Sequence, residues 1–275
     1  MKVLITGITG SLGGEVLKYL LDNTDAKIIG YSRDELKQSQ IPKNKRVTLY
    51  LGDVRDRQRL TEASRGADLL FHFAALKRVP ELEENPEECI ATNVIGTQNV
   101  LSAQRANGIG RVVLSSTDKA VSPINVYGMC KAIAEKLVFR NPKNIVCRYG
   151  NVLASRGSVI PEFVKTLKAD NTIYITHPEM SRFFIRLEDA ARFVADSGLN
   201  RKDGGLCIPK MRGTPMVACG WAVAKILGIK NPKIKYTGIR PGEKLVEALR
   251  TTAEGGAIFS DACEQFDELD LLNLL

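Results

Sequence analysis

A chain of 275 residues that is 44% hydrophobic and 25% charged lies in the ordinary globular range, which excludes a disordered or fibrous protein and allows one large core with a smaller companion lobe. The net charge of +8 points to an anionic partner; bases and acids are mixed along the chain, with no zinc finger, basic arm or aromatic–basic alternation, so a small polyphosphorylated molecule is expected and nucleic acid is not. No apolar run is long enough to span a bilayer and no leader precedes the first strand, so a cytoplasmic protein without membrane contact is expected; six scattered cysteines and two histidines lack disulfide-framework or metal-ligand spacing, so reduced thiols and no metal are expected.

KVLITG at the start is the short apolar run of a buried parallel strand, and Gly7, Gly10 and Gly13 lead from it into a segment with Val16, Leu17, Leu20 and Leu21 at helical spacing. The alternation continues with AKIIGYS and RVTLYLGDV as strands, DRQRLTEASRG as a helix and ADLLFHFAA as a fourth strand. A long helix through CIATNVIGTQNVLSAQRANG, a fifth strand RVVLSST, a helix from Tyr127 to about Asn141 and a sixth strand NIVCRYGNV follow. This rhythm specifies an α/β fold: a doubly wound (Rossmann) parallel sheet covered on both faces. Beyond Asn151 the elements become short and mixed, so a smaller mixed C-terminal lobe is expected. The division is a dinucleotide-binding domain over 1–155 and a substrate-binding lobe over 156–275, with 185–210 packing back on the first. The acidic, leucine-containing tail Asp261–Leu275 fits a docked helix, an oligomer contact or a frayed end.

Three glycines alone signify little. Between a first strand and a helix, however, the spacing GxxGxxG lets the backbone approach a pyrophosphate while the helix N-terminus supplies amide donors. The end of the second strand then bears on the cofactor. Ser32, Arg33 and Lys37 suit the 2′-phosphate of NADP, whereas Asp34, if it faced the ribose, would accept the 2′-hydroxyl of NAD. NADP is favoured over NAD. Asp53, after the third strand, meets the adenine amino group or caps the next helix.

Tyr127 and Lys131 stand at i and i+4 and share one helix face. Tyrosine ionises near pH 10, so work as a base near neutrality requires a fall of roughly three pH units, about 4 kcal/mol. A nearby lysine cation together with an oxidised nicotinamide is an arrangement that supplies it, and the pair then deprotonates an alcohol as hydride leaves.

With these residues in place the chain resembles the extended short-chain dehydrogenase/reductase family over nearly its whole length. The match runs through Gly7-Ile8-Thr9-Gly10-Ser11-Leu12-Gly13, FHFAAL, Asn93 in TNVIGT, Thr117, Tyr127 and Lys131. Within that family it is most similar to the inverting UDP-N-acetylglucosamine 4,6-dehydratases, through YSRDELKQS, GDVRD, AALKRVPELEENPEECIATNV, STDKAVSPINVYG, RYGNVLASRGSVIP, HPEMSRFF and RPGEKL. Retaining relatives carry a membrane-anchored N-terminal part and usually have methionine at the tyrosine position; Tyr127 and a start at the glycine loop imply the inverting, soluble branch. The resemblance implies that Thr9, Ser11, Leu12, Val54, Ala74, Ala75, Lys77 and Asn93 join the three glycines, Ser32, Arg33, Lys37, Asp53, Tyr127 and Lys131 around the cofactor.

It also implies the chemistry of Thr117-Asp118-Lys119. Oxidation of sugar carbon 4 acidifies the hydrogen on carbon 5. Lys119 is then the base at carbon 5, Asp118 the acid at carbon 6, and Thr117 positions the carbon 4 oxygen with Tyr127. Lys119 must be neutral and Asp118 protonated, which calls for desolvation or coupling in a closed site. For a UDP-sugar, Arg182 and Arg240 are candidate diphosphate contacts, with Asn151, Arg156 and Ser158 nearby, Glu243 at a ribose hydroxyl and Lys77 near nicotinamide or sugar. His72 and His177 are expected in packing or hydrogen bonding. The product implied is a 4-keto-6-deoxy sugar inverted at carbon 5, made by a homo-oligomer for polysaccharide assembly. The alternatives are a nucleotide-sugar 4- or 5-epimerase, which gives Asp118 and Lys119 no work, and a non-catalytic NADP-binding regulator. The chain departs from the family pattern at GMCK, where a small polar turn is usual, and soon after RPGEKL, where it reaches the acidic tail; the oligomer contacts and closure over the nucleotide are the properties this touches.

Overall fold

A computed structural model of the chain describes residues 1–153, 159–266 and 270–272. Its centre is a seven-stranded sheet, in which every neighbouring pair is parallel. In chain order the first elements are β1 (Lys2–Thr6), α1 (Ser11–Asn23), β2 (Lys27–Ser32), α2 (Glu35–Ser39), β3 (Val47–Leu51), α3 (Arg57–Ala63) and β4 (Leu69–His72). Then follow α4 (Val79–Glu83), α5 (Pro86–Cys89), a π-helical turn over Ile90–Ile95, α6 (Gly96–Asn107), β5 (Arg111–Thr117), a 3₁₀ turn over Asp118–Ala120, α7 (Val126–Val138) and β6 (Ile145–Tyr149). The remaining elements are β7 (Asn151–Val152), α8 (Val159–Asp170), β8 (Thr172–Ile175), β9 (Ser181–Ile185), α9 (Leu187–Asn200) and β10 (Gly205–Cys207). Last come β11 (Arg212–Pro215), α10 (Met216–Ile226), β12 (Lys233–Tyr236), β13 (Ala248–Arg250), a 3₁₀ turn over Thr252–Glu254 and β14 (Ile258–Phe259).

The sheet order is β10-β6-β5-β4-β1-β2-β3, so the winding reverses between β1 and β4. At such a switch point the connecting loops diverge and leave a crevice at the carboxyl ends of the strands. One face carries α1 and α9, whose Val16, Leu17, Leu20, Ala191, Val194 and Ala195 pack on Val3, Ile5, Phe71 and Val113. The other carries Leu60, Val100, Leu101, Ala134 and Val138 against Leu4, Leu70, Val112 and Val146. Both faces of the inner strands are therefore apolar, which is why they read as continuous runs and not as alternations, while the edge strand β3 is partly exposed. A separate cluster joins Phe163 and Leu167 of α8, Ile173 and Ile175 of β8 and Cys219 and Val223 of α10. β9 pairs with β11 and with β7, and β12 adds to β8.

The long helix expected through 89–108 is interrupted by the π-helical turn, where Gly96 N–H reaches Ala91 O. The extra residue turns Asn93 inward, and its amide both donates to Leu76 O at 2.8 Å and accepts from Leu76 N at 2.9 Å. That clamp fixes the loop after β4, a use typical of π-turns near working sites. Among the described residues no helix is long and apolar enough to cross a membrane, and no group of His, Cys, Asp and Glu is arranged to hold a metal ion.

Candidate functional site

The crevice at the switch point opens into a cavity of about 770 Å³. Gly7, at the end of β1, adopts φ +71°, and a Cβ there would lie 2.7 Å from Ala74 N on the loop after β4. A Cβ on Gly13 would lie 2.3 Å from Gly7 O. These two close approaches force glycine and draw the start of α1 down onto the strand ends. α1 has no side-chain cap and no acidic residue in its first turn. Its leading amides thus face the cavity without an internal anion, an arrangement suited to a pyrophosphate.

Of the residues singled out in the sequence, the cavity is lined by Gly7, Thr9, Gly10, Ser11, Leu12, Gly13, Ser32, Arg33, Asp34, Lys37, Val54, Ala74, Ala75, Lys77, Thr117, Lys119, Tyr127, Lys131, Asn151 and Arg240. A second cavity of about 770 Å³, lined by Arg182, Arg240 and Glu243 among others, adjoins it, since Arg78, Val159 and Arg240 line both. Arg156 and Ser158 lie outside the described residues. Asn93 acts through the Leu76 clamp and does not itself line the cavity. Asp53 accepts from Arg55 Nη2 at 2.7 Å and Arg33 Nη1 at 3.3 Å; burial pushes its carboxyl up, but the two guanidiniums outweigh this and hold it below the usual range.

At the end of β2 both Arg33 and Asp34 line the cavity. Asp34 caps α2, accepting from Lys37 N at 2.9 Å, and forms an ion pair with Lys37 Nζ. Arg33, half exposed, stands at the cavity wall with Ser32, whose hydroxyl accepts from Gln38 Nε2 at 2.9 Å.

The central chemistry gathers where β5 ends. Thr117 caps the 3₁₀ turn that carries Asp118 and Lys119, and Asn125 caps α7 by accepting from Gly128 N at 2.7 Å, which sets Tyr127 and Lys131 on the facing turn. Lys131 is buried and donates to Ser115 O at 2.5 Å; burial pushes its amine down to about 8. The expected depression of Tyr127 is not produced by the protein's own groups. Burial and the charge of Asp118 push its hydroxyl up, against a hydrogen bond from Thr117 that lowers it. Asp118 is fully buried. Its Oδ1 accepts from Thr117 Oγ1 at 2.9 Å and Lys119 Nζ at 3.0 Å, while Oδ2 has no donor.

Lys119 departs from the neutral amine that the resemblance implies. Burial pushes it down, but Asp118 and Glu247 more than offset this and raise its proton affinity. Nζ lies 3.4 Å from Glu247 Oε1 and 3.3 Å from Asn151 Oδ1, so the structure favours an ammonium. Arg182, which lines the second cavity, donates to Ser181 O at 2.7 Å, Leu245 O at 3.1 Å and Lys244 O at 2.8 Å, and approaches Glu243 Oε1 at 3.6 Å. Glu243 Oε2 accepts from Arg240 N at 3.3 Å. These two side chains bind the RPGEKL segment to β9. His72 is buried between Thr6 Oγ1 at 2.8 Å and Thr97 Oγ1 at 3.1 Å, and burial pushes it down to about 3, so it stays neutral. Sequence reasoning passed over Ser115, Tyr149 and Glu247. The Ser115 Oγ and Tyr149 OH pair at 2.6 Å joins adjacent strands, and no local spacing announces it.

The chain matches the polysaccharide biosynthesis protein family over residues 3–260. A UDP-N-acetylglucosamine 4,6-dehydratase (inverting) of Campylobacter jejuni is 43% identical over 262 residues, covering 90% of this chain and 77% of that protein. A UDP-glucose 4-epimerase of Rickettsia canadensis is 41% identical over 262 residues, covering 90% and 76%. The X-ray structure of Pen from Bacillus thuringiensis superposes with a TM-score of 0.92 at 31% identity, covering 99% of this chain and 96% of that one. With the strand order, the glycine turn and the Thr117–Tyr127–Lys131 constellation these matches agree: the chain belongs to the polysaccharide biosynthesis protein family, within the extended short-chain dehydrogenases/reductases.

Proposed function

We propose that the protein is a nucleotide-sugar dehydratase that binds NADP and converts a UDP-N-acetylhexosamine, UDP-N-acetylglucosamine first among them, to the 4-keto-6-deoxy sugar with inversion at carbon 5. The observation that carries this reading is the Asp118–Lys119 pair, hydrogen bonded at 3.0 Å, with Lys119 lining the cavity that Tyr127 also lines. Epimerisation needs hydride transfer and rotation of the sugar; an acid and a base side by side serve elimination. Relatives carry both names, and the buried pair favours the dehydratase.

The cofactor reading rests on the committed carboxylate. Asp34 lines the same wall but is engaged as the α2 cap, so Arg33 and Ser32 beside it are the groups assigned to a 2′-phosphate. The glycine loop and the first turn of α1 hold the pyrophosphate. Bound NADP supplies the hydride acceptor for carbon 4 and the hydride donor for carbon 6.

The chain's own groups do the rest. Tyr127 takes the proton of the carbon 4 hydroxyl, and Lys131, a buried cation, favours the ionised tyrosine. Thr117 holds the same oxygen. A proton crossing from Lys119 Nζ to Asp118 Oδ1 creates the free amine and the neutral acid together, so neither has to be prepared from solvent. Lys119 then takes the carbon 5 hydrogen while Asp118 protonates the departing carbon 6 hydroxyl. Arg240 and the second cavity receive the nucleotide diphosphate.

The test is incubation with UDP-N-acetylglucosamine in deuterated water, read by mass spectrometry and NMR. Loss of one water, deuterium at carbon 5 and inversion there are expected, all abolished in Lys119→Ala. An intact skeleton altered only at carbon 4 establishes an epimerase, and full product formation by Lys119→Ala removes the assigned base.

A further inference from the structure

Glu247 lies just beyond RPGEKL and is absent from the described residues that line the two cavities. Its side chain is 3% exposed and its Oε1 stands 3.4 Å from Lys119 Nζ, with Oε2 at 3.7 Å from Lys244 Nζ. The backbone beneath it is fixed: Glu247 N donates to Ser260 Oγ at 3.1 Å, Ser260 N donates to Glu247 O at 2.9 Å, and the Ser260 hydroxyl meets Ser181 Oγ at 2.6 Å. Glu247 Oε2 and Asp118 Oδ2 are both buried without a hydrogen-bond donor. Two buried carboxylates thus converge on the Lys119 ammonium, with Lys244 and Arg182 as the further cations and Tyr127 facing Asp118 from α7. Donorless buried carboxylate oxygens are destabilising. A cluster that retains two of them beside a reacting amine has a use for the charge.

We propose that Glu247 is a positioning residue for the dehydration: as the second carboxylate partner of Lys119 it holds Nζ at the carbon 5 hydrogen. This rests on the dehydratase reading above. In the balanced step the carbon 5–hydrogen bond breaks and an N–H bond forms on Lys119. The released electron pair becomes the carbon 5–carbon 6 double bond; the carbon 6–oxygen bond breaks and the Asp118 proton leaves with the hydroxyl as water. Lys119 ends as an ammonium and Asp118 as a carboxylate, their starting states, with Glu247 ionised throughout. Measured from the resting ammonium, Glu247 adds no charge stabilisation in the transition state; it acts on kcat by orientation, holding Nζ where the free amine meets the carbon 5 hydrogen. Burial and the Asp118 charge push Glu247 up, while Lys119, Arg182 and Lys244 draw it back in part.

The experiment measures kcat and kcat/KM against pH for the full chain with NADP and UDP-N-acetylglucosamine. Glu247→Gln keeps the shape and removes the charge: kcat is expected to fall roughly 10- to 100-fold with KM held within about threefold. Removing a negative charge lowers the proton affinity of its neighbours, so both limbs of the profile are expected to move down by about one pH unit. Glu247→Asp restores the limbs toward their original positions, and Lys244→Gln, which removes a cation, moves them up. Unmoved limbs in Glu247→Gln, or a loss carried by KM, overturn the proposal while leaving the dehydratase reading intact. A wild-type protein that neither dehydrates the substrate nor exchanges carbon 5 overturns both. If Glu247→Gln does not fold, the Lys244→Gln profile decides: an upward shift supports the coupling and an unchanged profile refutes it.

Discussion

Arg148 offers a test of how the C-terminal segment is held against the site. Its guanidinium, 3% exposed, donates to Glu135 through Nη2 at 2.6 Å and Nε at 3.1 Å. It also donates to Leu249 O at 2.9 Å and to Glu254 at 3.0 and 3.1 Å. One side chain thus ties β6 to α7, β13 and the turn that follows, the stretch adjoining Glu247. Arg148→Met leaves Glu135, whose side chain is 5% exposed, with Ser116 Oγ as its one remaining hydrogen-bond partner, at 2.5 Å. An uncompensated buried carboxylate costs about 3–5 kcal/mol, and the lost donor to Leu249 O adds about 1 kcal/mol. Glu254 loses its bonds from Arg148 and keeps those from Thr251; being about one-third exposed, it is partly compensated by solvent, so its loss adds to the cost at a discount. The double variant Glu135→Met/Arg148→Met removes both charges and is expected to lose no more than about 2 kcal/mol, because apolar replacement of a buried pair is near neutral. Urea unfolding at neutral pH, followed by circular dichroism, reads the difference. A single variant within about 1 kcal/mol of wild type, or a double variant as unstable as the sum of the singles, refutes the reasoning.

Arg33→Ala is expected to raise KM for NADP by roughly tenfold or more and leave NAD nearly unaffected, since a charged hydrogen bond to the 2′-phosphate is lost; steady-state kinetics with both cofactors measures it, and equal changes refute the assignment. Glu254 supplies a pH dependence of known sign. Hydrogen bonds from Arg148 hold its carboxyl down at about 2, against an ordinary value of 4.5. Its contribution to stability is therefore complete above about pH 4.5 and is lost as the pH falls toward 2. Acid unfolding of Glu254→Gln is expected to be shallower over that window, and an unchanged acid limb sinks the assignment.

The parts of the fold that were legible in the sequence share one property, that the signal lies within a single element. Strands buried on both faces are apolar runs, α1 shows its helical period, and the Gly7–Gly13 turn stands between them. Tyr127 and Lys131 declare a shared helix face by their spacing. The π-helical turn was not legible because π and α segments share composition; what accompanies it is a pair of hydrogen bonds between Asn93 in the turn and Leu76 in the loop after β4, which no local spacing announces. Asp34 was ambiguous for a similar reason. A cap and a ribose acceptor are the same carboxylate in sequence, and the cap role shows only once Lys37 N is seen to donate to it.

Net charge points to an anionic ligand but not to the arginines that would meet it. Several guanidiniums of this chain serve backbone carbonyls. Arg46 closes the end of α1 through Leu21 O at 2.6 Å and Thr24 O; Arg111 gathers Lys143 O and Lys202 O, both at 2.8 Å; Arg182 holds Lys244 O and Leu245 O. Five donors in a rigid fork suit this work, since loops that meet in space bring carbonyls together without amides to match. Arg182, which also lines the second cavity, thereby secures the segment that carries Lys244 beside Glu247 and Lys119, and replacing it is expected to loosen that segment.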